Sequence, residues 1–423
     1  VLASLAGAQS CPPQWLPGPG TTGINGSLGI PGQINDMLYK PSTGLDQPAL
    51  IVGGSFPTAG GITVNHVAAW RPNTQTWHAM GAGLPSPVRS LAVDGQRRVL
   101  ALLESGPNRV MRWNGTSWQP LGDFSSFFAN VVDVSVLPNS DPILAYNGFA
   151  QVIDGQTFLT QFARWNGSVW VPFASGTSNT INSISVIGDF VYSSEVYSVN
   201  RASVAGGAWT QVGVPGTPGQ SVGSISGPDS NHTYAYTGAT TMSGTPIQQL
   251  ARFVSPGVWQ AVPEAQSMFF RSNVTSGWPQ FVSMSLTPSG PEGIASLDFS
   301  GTAHVYATAT ISGSSDVRRL IVTAEDGGLP DIYIAGSITS VNGVPTFGIA
   351  RFGYSDACYC DSIDFNRDGS FFDPDDIDLF LSCYAEGPCG PNNDIDINND
   401  GSQMDPMDVG AFLSLFSEGP CIR

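Results

Sequence analysis

Residues 50–70, LIVGGSFPTAGGITVNHVAAW, align without a gap on residues 332–352, IYIAGSITSVNGVPTFGIARF, at a constant offset of 282. Self-similarity of this kind marks a repeat architecture, in which each unit buries its apolar face only against its neighbours. Between the two copies an aromatic followed shortly by a tryptophan recurs: Trp70 with Trp77, Trp113 with Trp118, Trp165 with Trp170, Phe253 with Trp259. Each pair brackets a turn. Asn114-Gly115 and Asn166-Gly167 predict two-residue type I′ hairpins, which need positive φ at both central positions. The pairs therefore mark adjacent antiparallel strands. The second tryptophans fall at 77, 118, 170, 209 and 259, with spacings of 41, 52, 39 and 50, the length of one four-stranded propeller blade.

From Phe253 to Phe352 there is room for two further units; the one near 280–315 lacks its marker, and Trp278 falls out of register. The last copy ends at Ala350-Arg351-Phe352 with no tryptophan after it, while Trp15 stands alone near the start. If Gln14-Trp15-Leu16-Pro17 supplies the outer strand of the final blade, the ring closes without a free sheet edge. The expected fold is mainly β: a seven-bladed propeller over residues 11–354, closed by the N-terminal strand, with a small α-helical calcium domain over 355–423. A β-sandwich array is the competing architecture. On Gly53-Gly54-Ser55-Phe56 and Ala350-Arg351-Phe352 the units resemble the kelch-like and tryptophan-rich propeller repeats of secreted bacterial proteins, across roughly residues 14–354.

Composition agrees with many short strands joined by tight turns: 50 Gly and 32 Pro in 423 residues, with 12% charged. The net charge of −17 is unevenly spread, −4 over residues 1–355 and −13 over 356–423. An acidic tail poor in bases cannot neutralise phosphates, which argues against nucleic acid and anionic membranes and for cations. No run of 18 apolar residues exists, so no membrane span is expected. Of the six cysteines, Cys11 stands alone and Cys358, Cys360, Cys383, Cys389 and Cys421 crowd the tail. This reads as a stapled small domain in an oxidising compartment, with the pairing left open. Residues 1–10, VLASLAGAQS, resemble the end of a secretory signal or form an apolar N-terminal segment. A secreted protein, extracellular or at the cell surface, is expected.

The tail carries the most specific motif. Residues 364–376, DFNRDGSFFDPDD, and 396–408, DINNDGSQMDPMD, are two copies offset by 32. Calcium takes six to eight oxygens, and a D-x-N-x-D-G start supplies three of them before glycine turns the chain. Asp364, Asn366 and Asp368 do this in the first loop, and Asp396, Asn398 and Asp400 in the second. The backbone carbonyls of Ser370 and Ser402 are the expected next ligands. With one extra residue in each loop, Asp376 and Asp408 close the sites, Asp375 being the alternative in the first. Two Ca2+ ions are implied. Ile377, Phe380, Leu381, Tyr384 and Val409, Phe412, Leu413, Phe416 then follow helical spacing. Duplicated loop–helix units of this kind resemble the dockerin family, with EF-hand-like loops. That resemblance implies a protein partner, cohesin-like or another copy of the chain, and admits a homopolymer.

Catalysis is harder to find. His66, His78, His232 and His304 share no motif, and the absence of cysteine between 12 and 357 excludes the copper-radical chemistry of some kelch propellers. Asp36, Asp94, Asp133 and Asp154 are carboxylates of the kind a glycosidase pairs, with none singled out. The expectation is a non-catalytic calcium-binding protein, a binding or structural propeller whose face would suit a glycan or a protein. The alternative is a carbohydrate-active enzyme or lectin displayed through its dockerin.

Overall fold

The computed structural model describes residues 14–16, 24–25, 32–40, 49–71, 74–148, 150–175, 180–216, 220–247, 249–262, 269–270, 280–285, 292–297, 303–323, 331–346, 348–353, 374–384 and 409–410. Short runs of β-branched and aromatic residues, interrupted by turn residues, give strands throughout. Six four-stranded antiparallel sheets follow one another along the chain among the described residues. The first is Gln33–Lys40, Ala49–Ser55, Val67–Arg71 and Thr76–Ala79; the second Val88–Val93, Val99–Leu103, Val110–Trp113 and Trp118–Pro120. The third is Asn130–Val136, Pro142–Asn147, Phe162–Trp165 and Trp170–Pro172; the fourth Ile181–Ile187, Phe190–Glu195, Val199–Ser203 and Gly206–Gly213. Val222–Ser226, Tyr234–Thr237, Leu250–Ser255 and Val258–Ala261 make the fifth, and Phe269–Phe270, Gln280–Ser285, Glu292–Leu297 and Ala303–Ala309 the sixth. This is a β-propeller.

The expected seven blades plus an α-helical domain is corrected. Six sheets have the four-stranded blade form; the remaining large one is five-stranded, ordered Gln14–Leu16, Ile349–Gly353, Asp331–Val341, Ile311–Thr323, with Val344–Pro345 also on Asp331–Val341. Its two long strands, of 13 and 11 residues, set it apart from the blades. The described residues hold one helix long enough to name, Pro374–Tyr384, and not a helical domain. That helix carries the expected spacing of Ile377, Phe380, Leu381 and Tyr384, with Phe380 buried and Leu381 half exposed.

The chain divides into two compact units: Pro17–Val322 with Tyr333–Ala350, and Val1–Leu16 with Thr323–Ile332 and Arg351–Arg423. In the second, the expected N-terminal strand is present: Gln14 pairs with Gly353, Trp15 with Phe352 and Leu16 with Arg351. The Trp15 and Phe352 rings meet edge to face at 5.2 Å, and Arg351 Nε lies 2.8 Å from Asp331 Oδ2.

In the first unit the internal repeat holds atom for atom. Gly54 N donates to His66 O at 3.0 Å and Val64 N to Pro57 O at 2.9 Å; Gly336 N donates to Gly348 O and Thr346 N to Thr339 O, each at 3.0 Å, 282 residues on. These two copies share one core, in which Ile34, Leu50, Val52, Phe56 and Trp70 are clustered with Tyr333, Ala335 and Ile349.

The tryptophan pairs sit directly opposite one another across neighbouring strands: Trp70 with Trp77, Trp113 with Trp118, Trp165 with Trp170, Phe253 with Trp259. Their centroids are 5.2–5.7 Å apart, the range of tilted and edge-on aromatic contacts. The hairpins between them differ from the two-residue type I′ form. Gly115 and Gly167 take positive φ, but neither asparagine does. Instead Asn114 Oδ1 accepts from Thr116 N and Ser117 N, and Asn166 Oδ1 from Ser168 N and Val169 N. Four residues span each turn, so the asparagine side chain replaces a backbone acceptor.

The second tryptophan of a pair also staples its blade to the one before. Trp118 Nε1 donates to Met80 O at 3.1 Å, Trp170 Nε1 to Leu121 O at 2.8 Å and Trp259 Nε1 to Val212 O at 2.8 Å. The residue after the acceptor is a glycine each time, Gly81, Gly122 or Gly213. A Cβ there would lie 2.6 Å from Trp170 Cδ1 at Gly122 and 2.7 Å from Trp259 Nε1 at Gly213. Trp209 breaks the series. The corresponding position is Ala174, at φ 51°, and the Trp209 Nε1 is buried without a hydrogen bond.

Candidate functional site: the axial channel

The innermost strands of the first five blades each carry a β-bulge at Asn35, Arg89, Val132, Asn182 and Gly223. A bulge re-aims the side chain that follows it. The residues after the bulges are Asp36, Ser90, Asp133, Ser183 and Ser224, five polar groups at one level around the axis.

Several of them bridge blades. Asp36 Oδ1 accepts from Met37 N at 2.7 Å and Oδ2 from Leu91 N, in the next blade, at 2.7 Å. Arg319, from the strand Ile311–Thr323, grips the same carboxylate: Nε lies 2.6 Å from Oδ1 and Nη2 3.1 Å from Oδ2. Ser90 Oγ donates to Asp133 Oδ1 at 2.6 Å, Val134 N donates to the same oxygen at 2.9 Å, and Ile184 N donates to Oδ2 at 3.1 Å. The bulged residues add to this: Asn35 Nδ2 donates to Val88 O and Asn182 Nδ2 to Val222 O. Hydrogen bonds thus run from blade to blade around the axis.

Among the described residues, the Arg319 guanidinium and the Asp36 and Asp133 carboxylates act on one another at this level. Asp36 holds the Arg319 guanidinium above its ordinary value, with burial opposing and Asp133 assisting. Burial pushes the Asp133 carboxyl up, against the pull of Arg319 and the Ser90 and Ile184 donors. Arg319 is surrounded by protein, yet 33% of its side-chain surface is accessible, whereas Asp36 keeps 4%. One step further along the same strands lies an open cavity of about 550 Å³ of mixed polar and apolar lining, bounded by Leu91, Ala92, Val93, Val134, Ser135, Val136 and Val186 and rimmed by turn residues Pro138 and Gly188. At the opposite end of the strands, Ile62, Phe128, Leu159, Tyr197 and Val214 stay exposed, Phe128 at 86% and Leu159 at 77%.

The four carboxylates singled out in the sequence are all placed. Asp36 and Asp133 share the axial belt. Asp94 caps a turn through Gln96 N and Arg98 N and pairs with Arg98 Nη2 at 2.7 Å. Asp154 accepts from Asp123 N at 2.6 Å and Trp170 N at 3.1 Å. His66 is half-buried, and burial lowers its imidazole below the ordinary value. Arg319 and Ser90 were not legible as site residues, because the bulges that aim them leave no mark in composition or spacing.

Of the expected calcium ligands, Asp364, Asn366, Asp368, Ser370, Asp396, Asn398, Asp400, Ser402 and Asp408 lie outside the described residues, as do Cys11, Cys358 and Trp278. Asp376 falls within the helix Pro374–Tyr384. No helix among the described residues is long and apolar enough to cross a membrane.

The sheets, the blade-to-blade staples and the polar axis define a β-propeller protein. No family model matches the chain, and no curated protein sequence does. In fold it is similar to the selenomethionine-substituted virginiamycin B lyase from Staphylococcus aureus, with TM-score 0.52 and 12% identity over 78% of this chain and 98% of that one. It is also similar to YCF48 bound to D1 peptide, with TM-score 0.51 and 12% identity over 82% and 98% of the two chains. A streptogramin B lyase matches with TM-score 0.50 and 11% identity over 78% and 96%. At these identities the likeness establishes the propeller fold alone.

Proposed function

We propose that this chain is a non-catalytic, secreted calcium-binding scaffold. Its propeller is the binding or structural body, and residues 355–423 form a dockerin-like module. Two Ca2+ ions order that module for docking to a cohesin-like partner or to another copy. The observation that supports a non-catalytic propeller is the engagement of its candidate carboxylates. Asp36, Asp94, Asp133 and Asp154 each accept at least two hydrogen bonds that hold a turn or join two blades. A general acid or base must instead face a substrate. The exposed apolar side chains at one end of the strands suit a protein or peptide partner, and a peptide is what YCF48 carries in its complex.

Two measurements test this reading. Chelation is expected to unfold the acidic tail while the propeller persists, because carboxylates gathered for a cation repel one another without it. Two calorimetric transitions, with only one sensitive to chelator, are the expected result; a scan that chelator leaves unchanged refutes the calcium module. A polysaccharide turnover screen tests the other half. Turnover abolished by a single Asp or Glu substitution in residues 1–355 would establish the carbohydrate-active alternative.

A further inference from the structure

We infer that the outer edge of one small hairpin in the third blade, residues 156–159, is a docking edge for an extended peptide segment of a partner protein. Two-residue hairpins stand between the second and third strands of the first, third and fifth blades and recur on the five-stranded sheet. Their turns, Gly60-Gly61, Asp154-Gly155, Ser243-Gly244 and Asn342-Gly343, hold positive φ at both positions, as the type I′ form requires. The second strand of such a hairpin is a free sheet edge unless something closes it. The residue two past the turn glycine presents its N–H and C=O along that edge. It is Pro246 in the fifth blade and Pro345 in the five-stranded sheet, and proline has no N–H to offer. In the first blade the place is Thr63, but two residues on, Leu84 N donates to Asn65 O at 2.8 Å and Asn65 Nδ2 to Ala82 O at 2.9 Å. The loop to the next blade thus occupies that edge.

The third blade has neither device. Thr157 stands where the two prolines stand, and Leu159 where Asn65 stands. Ile153 and Gln156 pair beside the turn, which directs the N–H and C=O of Thr157 away from Val152. No hydrogen bond reaches the outward backbone groups of Thr157 or Leu159 among the described residues. Both residues are exposed, Leu159 at 77%. Ser175, five residues after Trp170 as Ala82 is after Trp77, is drawn instead to the fourth blade: its N donates to Gly207 O at 3.1 Å and its O accepts from Trp209 N at 3.0 Å.

An open edge of this kind is completed by an extended strand, whose backbone groups alternate at the same spacing. These hairpins already take short strands on their other edge: Ile24–Asn25 pairs with Thr58–Ala59, and Gly216 N donates to Thr241 O at 3.0 Å. Four residues at about 3.3 Å each give an edge of roughly 13 Å. That suits a short peptide and falls far below the roughly 1,200–2,000 Å² that a stable interface between two propellers would bury. Leu159 favours an apolar side chain beside it. Asp154 in the turn, with Asp123 bonded to it, favours a basic residue at that end of the peptide.

This inference deepens and rests on the reading of the propeller as a peptide-binding body, and it makes no use of the calcium module. The probe is the peptide acetyl-Lys-Thr-Val-Thr-Val-Lys-amide, titrated calorimetrically into the full chain. Two further forms carry N-methyl groups on its threonines or on its valines. Saturable binding is expected, with one methylated form roughly tenfold weaker than the other, because only alternate amides face the edge. Thr157→Pro copies what Pro246 and Pro345 show the hairpin to tolerate, and it should weaken the peptide roughly tenfold. Leu159→Ser leaves the backbone intact and should weaken it roughly fivefold. No saturation, equal loss from both methylated forms, or affinity unchanged in both variants overturns the edge. In the last case the peptide binds elsewhere and the peptide-binding reading stands without it. A dimer in sedimentation that Thr157→Pro abolishes would give the edge to a second copy and overturn the peptide assignment as well.

Discussion

The rim of the propeller and its axis solve the same problem, joining one blade to the next, in opposite ways. At the rim the solution is repeated: an indole N–H from one blade reaches a carbonyl of the blade before it, next to a glycine, at Trp118, Trp170 and Trp259. At the axis the equivalent positions are Asp in two blades and Ser in three, and Asp36, Ser90, Asp133 and Ser183 each make a different bond. Repetition at the rim maintains a fold. Variation at the axis is where chemistry can be placed without disturbing it.

If the rim carries the stability, its loss should cost the most. Trp170 is fully buried and bridges two blades, so Trp170→Ala is expected to destabilise by about 3–5 kcal/mol, read as a lower denaturant midpoint with an unchanged slope. An effect below that of an axial substitution would reverse the comparison. Arg319→Met comes next. It leaves Asp36 buried with only backbone donors, and because a third of the Arg319 side chain is accessible, the expected cost is about 2 kcal/mol, below the range for breaking a dry pair.

Ala174→Gly sharpens the account of the rim. It relieves a non-glycine residue at φ 51° and opens the approach that Trp209 lacks, so a gain of about 1 kcal/mol is expected. No gain would separate the glycine from the staple. Asp133→Asn should have the smallest effect on stability at neutral pH. Because burial raises the Asp133 value, the folded form holds the proton more tightly than the unfolded chain does. Its contribution is fully present below the ordinary carboxyl range and is lost as pH rises through the raised value. The variant should lose part of the pH slope in that window, and at neutral pH it should be slightly less stable than the parent, because relief of the buried charge is offset by an amide nitrogen that cannot accept from both Val134 N and Ile184 N.

Much of the rim was readable beforehand because its signal is aromatic and periodic. The opposed pairs, the 282-residue repeat and the pairing of Trp15 with Phe352 all follow from where a few large residues fall. A further regularity is a glycine four residues after the second tryptophan, at Gly81, Gly122 and Gly213, with Ala174 and Pro263 in the other two units. The axis was not readable. A bulge depends on the register of two strands, so nothing local distinguishes Asp36 from Asp94. The blade count went astray where units carry no tryptophan, and there strand length, which aromatic spacing does not report, sets the five-stranded sheet apart. The Asn-Gly dipeptides signal a two-residue turn only when the strands pair next to them, and here the opposed aromatics leave four residues in each loop.

The pairing of Gln14–Leu16 with Ile349–Gly353 also has a cost in time. These partners are separated by more than three hundred residues of chain. At a synthesis rate of roughly 5–20 residues per second, the strand bearing Trp15 waits tens of seconds before its mate exists. The blades between them need only near neighbours and can form in the order they are made. The N-terminal strand is thus made before every blade and takes its place after all of them, and through that interval a tryptophan and an unpaired strand edge are open to whatever else can bind them.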